Sequence, residues 1–283
     1  MKTRISALVL VLAASLFPTA LIAGKDGSDR LTVMSYNIRF AGAEDGTNSW
    51  IYRYYLTPMM IQDQKPDVIG LQEAVSSQVL YLSEYAKPYK YVGAGRDDGR
   101  KKGEYTAIFY NPKTVKLSKW GMFWLSDTPE KPGLGWDAAC PRTATWAIMK
   151  DKRNGKSFLV VNTHLDHVGK QAQAEGAALI LRRIEELNSK GLPVVLMGDF
   201  NLSQDDPVLG AVDSKMENTR KTALKSDGNV TYNAWGKLQF QSRIDHIYQK
   251  GFRRCQEFKV LTKKYDNRAF ISDHFPVMAE LVF

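Results

Sequence analysis

"VVLMGDFNLSQDDP", Val194 to Pro207, begins as an unbroken β-branched and aliphatic run, closes it with Gly-Asp-Phe-Asn, and then turns acidic. The run has the composition of a buried strand. Gly198, Asp199 and Asn201 are also what any chain uses to leave a strand, because they supply positive-φ backbone and local side-chain hydrogen bonds. One polar exit makes no site, so the reading of Asp199 and Asn201 depends on whether other strands end in the same way. Asp205 and Asp206, further on, read as caps for a short following helix.

Other strands do end in this way. LTVMSYNIRF, Leu31 to Phe40, is a β-rich run with Asn37 near its end, and KPDVIGLQEA, Lys65 to Ala74, closes on Gln72 and Glu73. EYTAIFY, TVKLSKWGMFWL, TATWAIMK, KSFLVVNTHLDH, SRIDHIYQK and the terminal PVMAELVF are further strands, separated by Gly, Pro and Asn signals. Helices are expected over Trp50 to Gln64, with Pro58 as the awkward residue, and over Ser76 to Tyr85. A third runs from Lys170 to Ser189, where Ala174, Ala177, Ala178, Leu181, Ile184 and Leu187 recur at helical spacing and Gly191 is placed to stop it. Strand-rich halves with interspersed helices predict two sheets packed face to face with helices outside. The short turns between successive strands argue against a parallel doubly wound fold.

The chain has 283 residues, 44% hydrophobic and 24% charged, which suits a globular protein with a sizeable core. Residues 1–24 read as a secretory signal peptide: Lys2 and Arg4, an apolar stretch from Ile5 to Phe17, then Pro18 and small residues. The apolar run is shorter than the roughly 20 residues a spanning helix needs, so no transmembrane anchor is expected, and residues 25–283 form one domain, exported to a periplasm or secreted. Cys140 and Cys255 are too few for a disulfide scaffold, although an exported chain could join them. The net charge of +9, or +7 without Lys2 and Arg4, favours anionic partners, but the basic residues are dispersed. No protein partner is expected.

The polar exits of the strands are Asn37, Glu73, Glu104, His164, Asp199 with Asn201, Asp245, and Asp273 with His274. This inventory suits metal-assisted phosphoryl transfer. Asn37, Glu73 and Asp273 offer the oxygens a hard ion such as Mg²⁺ takes; Asp199 is an acceptor for a water proton; Asn201, His164 and His274 are donors for phosphoryl oxygens. Each imidazole would want a carboxylate partner, and Glu104 and Asp245 are the spare ones.

These stretches, MSYNIR, DVIGLQE, NTHLDH, MGDFN, SRIDHIY and SDHFPV in that order from Val33 to Val277, resemble the endonuclease/exonuclease/phosphatase superfamily. The resemblance implies a four-layered αββα sandwich (an α/β, or α+β, fold of two mixed β-sheets) with the site where strand ends converge. It implies Mg²⁺, with Mn²⁺ as a substitute, held by Asn37, Glu73 and Asp273. Asp199 would orient the attacking water, Asn201 would bind the scissile phosphate, and His274 paired with Asp245 would contact or protonate it. Glu104 would partner His164, and Arg142 in CPRTATWAI would contact phosphate.

The expected activity is hydrolysis of a phosphodiester by direct attack of activated water. The substrate is a phosphoester, whether nucleic acid, lipid headgroup or small phosphodiester. A sphingomyelinase-like lipid phosphodiesterase, a small-molecule or inositol-type phosphatase, and a non-enzymatic binding module are the alternatives. His167 and His246 read as structural or peripheral, and Tyr105 as a half-buried strand residue. The stretch KWGMFWLSDTPEKPGLGW, Lys119 to Trp136, is either an aromatic wall beside the cleft or a hairpin packed by its own tryptophans.

Overall fold

A computed structural model describes residues 29–283; the expected signal peptide lies outside the described residues. Alternation along the apolar runs sorts the chain into layers. In the strand Arg30–Asn37, Leu31 and Val33 face one way and Met34 and Tyr36 the other; in Val194–Asp199, Val195 and Met197 oppose Val194 and Leu196. Leu31, Val33, Val195 and Met197 join Phe158, Val160, Ala279 and Leu281 in a buried cluster between two sheets. Met34, Tyr36, Ile69 and Leu71 instead pack with Leu56, Met60, Val79 and Leu82 of the helices Leu56–Gln64 and Ser76–Tyr85. Val194, Leu196, Leu159 and Val161 pack with Ala177, Ile180 and Ile184 of the helix Lys170–Leu187. Strands apolar on both faces have to be covered on both, and the outcome is the expected four-layered αββα sandwich.

One sheet runs Lys225–Ser226, Arg254–Val260, Val277–Val282, Arg30–Asn37, Val68–Gln72, Ile108–Tyr110, Lys90–Val92. The other runs Glu217–Asn218, Asp245–Lys250, Val194–Asp199, Ser157–His164, Thr143–Asp151, Val115–Trp124. Both are mixed, and each has a parallel pair near its centre: Arg30–Asn37 with Val68–Gln72, and Val194–Asp199 with Ser157–His164. Parallel neighbours end on the same side of a sheet, so the polar exits of each pair lie side by side.

Helix formation differs from expectation at one place. Trp50 to Gln64 divides into a 3₁₀ turn at Trp50–Tyr52 and an α-helix that begins only at Leu56. Pro58 is then the third residue of that helix, within the first turn, where its missing N–H costs no intrahelical bond. The third helix ends at Leu187, with left-handed Gly191 following (φ 62°). Asp206 caps the short helical turn Pro207–Leu209 by accepting from Val208 N at 3.0 Å; Asp205 takes no part in that cap.

The tryptophan-rich stretch is an edge strand and its following loop. Trp124 is buried and donates Nε1 to the Arg96 carbonyl at 2.6 Å, Trp136 packs against the outer core, and Trp120 is exposed. Cys140 and Cys255 are both free thiols, the second buried in the inter-sheet core. Among the described residues no helix is long and apolar enough to cross a membrane.

Candidate active site

Register places the first part of the site. Across the parallel pair Asp199 stands opposite His164, and across the antiparallel pair on its other side it stands opposite Asp245. Two strand exits, His164 and Asp199, and one strand entry, Asp245, are therefore fixed side by side by backbone hydrogen bonds alone. Gly198 permits this: a Cβ there would lie 2.1 Å from the Thr163 carbonyl oxygen, so no other residue fits one position before Asp199. Just beyond strand ends, Arg39 (φ 58°), Glu73 (φ 59°) and Asn201 (φ 51°) adopt left-handed backbone that is uncommon without glycine. All three side chains line one cleft of about 430 Å³ together with His164, Asp199, Asp273 and His274. Three of the nine left-handed non-glycine residues described thus lie on one cleft, where such backbone accords with a functional site.

At one end of the cleft lie oxygen donors. Asn37 Nδ2 donates to Glu73 Oε1 and to Asp199 Oδ2, both at 3.0 Å, while Phe40 N holds Glu73 Oε2 at 3.1 Å. Asp273 Oδ1 accepts from Ser272 Oγ at 3.2 Å, and its Oδ2 lies 3.6 Å from Arg39 Nε. Arg39 is committed elsewhere, to a two-pronged pair with Asp45 at 3.0 and 3.1 Å. Burial raises the Asp273 carboxyl above its ordinary value, and the charge of Glu73 pushes in the same direction. Glu73 and Asp273 thus present carboxylate oxygens with surplus negative charge, which fits a hard divalent cation; Asn37 lies buried behind them, its Oδ1 accepting from Arg39 N at 3.0 Å.

The two active-site histidines differ. His274 Nδ1 is 2.9 Å from Asp245 Oδ2 and its Nε2 is 3.7 Å from Asp199 Oδ2. Burial opposes its charge, but Asp245 and Asp199 outweigh it and lift the imidazole to about 10. His164 goes the other way: burial, then the Arg142 and Arg96 charges, hold it well below its ordinary value. Its Nε2 is 3.0 Å from Asn201 Nδ2, which also donates to the Leu165 carbonyl at 3.0 Å. Asp199, between them, is raised by burial, with Asp245 adding to the push and His274 opposing it. A carboxylate raised in this way is a stronger base than an ordinary one.

The expected partnership of Glu104 with His164 is not made. Glu104 lines the cleft, but its two oxygens are gripped by Arg96 at 2.8 and 3.0 Å, and His164 Nδ1 has no hydrogen-bond partner among the described residues. A guanidinium matches both carboxylate oxygens at once and outcompetes a single imidazole nitrogen. Arg142 is buried in the cleft wall, donating Nε to Asp166 Oδ2 at 3.2 Å, with Nη2 2.9 Å from His167 Nδ1. His167 is thus part of the site and not peripheral, because the turn after His164 brings it back to Arg142. His246 is structural, as expected: its Nε2 meets the Leu202 carbonyl at 2.8 Å.

Arg39, Arg96, Asp166 and Tyr232 line or support the cleft without a role expected from the sequence; Arg39 and Asp166 lie within MSYNIR and NTHLDH, whereas Arg96 and Tyr232 lie in none of the six stretches. Tyr232 sets its ring 4.9 Å from that of His274. Asp166 had a usable signal, an Asp three residues before Gly at a helix start: its Oδ1 accepts from Val168 N and Gly169 N at 3.0 and 2.8 Å.

A family model described as the Endonuclease/Exonuclease/phosphatase family matches residues 34–274. The chain belongs to this family. As a member it is a phosphoester-hydrolysing enzyme of a divalent-metal-dependent family. It is 39% identical to an endonuclease/exonuclease/phosphatase family protein of Bacteroides thetaiotaomicron, with a TM-score of 0.85 over 90% of this chain and 98% of that one. A mannosyl-6-phosphatase of Bacteroides thetaiotaomicron VPI-5482 is 38% identical, with a TM-score of 0.85 over 89% of this chain and 100% of that one. An uncharacterized protein of Acanthamoeba polyphaga mimivirus is 25% identical over 247 residues, 81% of this chain and 91% of that protein.

Proposed function

We propose that this enzyme is an exported, Mg²⁺-dependent phosphatase acting on small hydroxylated phosphomonoesters. The observation that carries the choice of substrate is charge matching. Each arginine of the cleft already has its own carboxylate: Arg39 with Asp45, Arg96 with Glu104, Arg142 with Asp166. A polyanion such as nucleic acid is held by unneutralised cations along its track, and among the described residues no arginine of this cleft is left without a carboxylate. Its volume of about 430 Å³ suits a phosphorylated monosaccharide, and the reacting side chains are set deep, with Asp199 1% and His274 4% exposed. The likeness to a protein named mannosyl-6-phosphatase along its whole length supports the same reading. Export is supported by the pattern of Lys2, Arg4 and the apolar run that follows.

Glu73 and Asp273 would hold Mg²⁺, Glu73 being steadied by Asn37 Nδ2 and by the Phe40 N–H; Asn37 would join them only through the Oδ1 that accepts from Arg39 N. Bound there, the ion supplies neutralising charge to a phosphoryl oxygen. Asp199 accepts a proton from the attacking water, in line with its raised basicity. The Arg142 guanidinium holds phosphoryl oxygens as charge accumulates on them, while Asn201, its Nδ2 directed to the Leu165 carbonyl and to His164 Nε2, holds the His164 imidazole in place. His274 is kept in one orientation by the Asp245 carboxylate on Nδ1, which leaves Nε2 for the phosphoryl group.

The test is a Mg²⁺-supplemented panel of hexose 6-phosphate, n-butyl phosphate, bis(p-nitrophenyl) phosphate, single- and double-stranded DNA, RNA and sphingomyelin vesicles, run beside the Asp199→Ala protein. Phosphate release from the monoesters is the expected result. Turnover of diesters with the monoesters left intact would overturn the reading in favour of a phosphodiesterase.

A further inference from the structure

Facing the same cleft as His164 and Arg142 is the pair Arg96 and Glu104, which the phosphoryl chemistry above does not use. Its geometry is built rather than incidental. The guanidinium meets the carboxylate at two points, 2.8 and 3.0 Å, and both side chains are partly exposed, 16% and 19%, on the cleft side. The two residues are also tied through the backbone, Arg96 N donating to the Glu104 carbonyl at 3.0 Å and Asp97 N to that of Lys102 at 3.1 Å. Trp124 Nε1 pins the Arg96 carbonyl from below at 2.6 Å. The hairpin closes so tightly that a Cβ on Gly95 would lie 2.1 Å from the Lys102 carbonyl oxygen. A rigid donor–acceptor pair beside a reaction centre is a preorganised recognition element.

We propose that Arg96 and Glu104 are specificity-determining residues that read vicinal hydroxyl groups on the part of the substrate leaving with the phosphate ester oxygen. The inference rests on the phosphomonoesterase reading and deepens it. A hydroxyl both donates and accepts, so two adjacent hydroxyls match a surface that offers a carboxylate lone pair beside a guanidinium N–H. An alkyl chain placed there leaves both charged groups desolvated and without new partners, which is how a polar site rejects an apolar analogue. A second phosphate on the substrate would meet the Glu104 carboxylate, and the like charges disfavour it. The class selected is therefore a sugar or other polyol monophosphate, in preference to a simple alkyl phosphate or a polyphosphorylated ring.

The experiment is a comparison of kcat/KM for hexose 6-phosphate, n-butyl phosphate and an inositol polyphosphate with Mg²⁺, in wild type, Glu104→Gln and Arg96→Lys, each verified as folded by thermal melting. Hexose 6-phosphate and n-butyl phosphate share a primary-alcohol leaving group, so their ratio isolates hydroxyl recognition. Wild type is expected to favour the hexose ester, and each variant to lower that preference by about tenfold, the loss of roughly one hydrogen-bonded group, chiefly through KM. A wild-type enzyme that hydrolyses the hexose ester no better than the butyl ester would overturn the inference without any variant. So would variants that lose both substrates equally, which would assign the pair to the setting of His164, or variants that keep the preference. Preference for the inositol polyphosphate overturns the exclusion of a second phosphate, and with it the inference. If wild type hydrolyses no monoester at all, the phosphomonoesterase reading itself fails, an outcome distinct from the others.

Discussion

The floor of the cleft and its far wall are built by opposite means. The floor consists of strand ends: Asp199, His164 and Asp245 stand abreast because the backbone ladder puts them there. The wall consists of loops and the short strand Glu104–Tyr105, in which charged side chains hold one another, Arg96 with Glu104, and Arg142 with Asp166 and His167. A ladder tolerates little variation in what it positions, while side-chain pairs can be exchanged without disturbing the sheet. The contrast suggests a division between conversion, which belongs to the floor, and selection, which belongs to the wall.

The largest effects should come from the floor. Asp199→Ala and His274→Ala are each expected to lower kcat by about a thousandfold or more, the scale of losing an acid–base group or a transition-state donor, in protein with an unaltered circular dichroism spectrum. Activity within about tenfold of wild type would remove these residues from the chemistry and break the division. Next in size is the metal. Chelation should abolish turnover and Mg²⁺ or Mn²⁺ restore it, while Asp273→Asn should raise the Mg²⁺ concentration needed for half-activation and weaken Mn²⁺ binding measured directly by titration calorimetry. A variant that binds Mn²⁺ as wild type does would take Asp273 out of the ligand set.

Loss of a wall residue should act on binding. Arg142→Lys keeps the charge but cannot reproduce two directed contacts, to Asp166 and His167, and a rise in KM of about tenfold with a smaller change in kcat is expected. The smallest effect expected is one of acid stability. Burial alone would raise the Asp166 carboxyl, but the N–H groups of Gly169, Val168 and Ala139 and the Arg142 guanidinium hold it down to about 2. A depressed carboxylate stabilises the fold above its unfolded value, near 3.9, and that contribution is lost as pH falls from there through about 2. Denaturant unfolding of Asp166→Asn should therefore depend less steeply on pH across that interval than wild type; an equal slope would mean Asp166 does not couple the wall to folding.

The same contrast explains what the sequence made legible. Asn37, Glu73, His164 and Asp199 stand where apolar runs stop, Asp245, Asp273 and His274 where they are about to begin, and a polar residue at either boundary is visible in one dimension. The layering followed from the resemblance, and the register then placed the residues in space. Glu104 is legible as a spare carboxylate beside a strand, but its pairing with Arg96 instead of His164 is not, because Arg96 lies in a loop whose closure depends on Gly95, Gly103 and a tryptophan over twenty residues away. His167 is not legible as a site residue, because strand alternation says nothing about a turn. The exposed start of the first expected helix failed for a local reason: Pro58 fixes where the α-helical turn begins.

Gly198 gives the site a property beyond its geometry. By admitting the Thr163 carbonyl at a distance no side chain would allow, it ties two neighbouring strands together at the level of Asp199 and His164. The spacing between the two is thereby a multiple of the sheet's own repeat, about 4.8 Å. Loops around the rim can then lengthen, shorten or be replaced at the modest entropic cost of loop closure, and the spacing of acceptor and imidazole does not change with them. A scaffold of this kind can be given new substrates by exchanging rims while its hydrolytic centre is inherited intact.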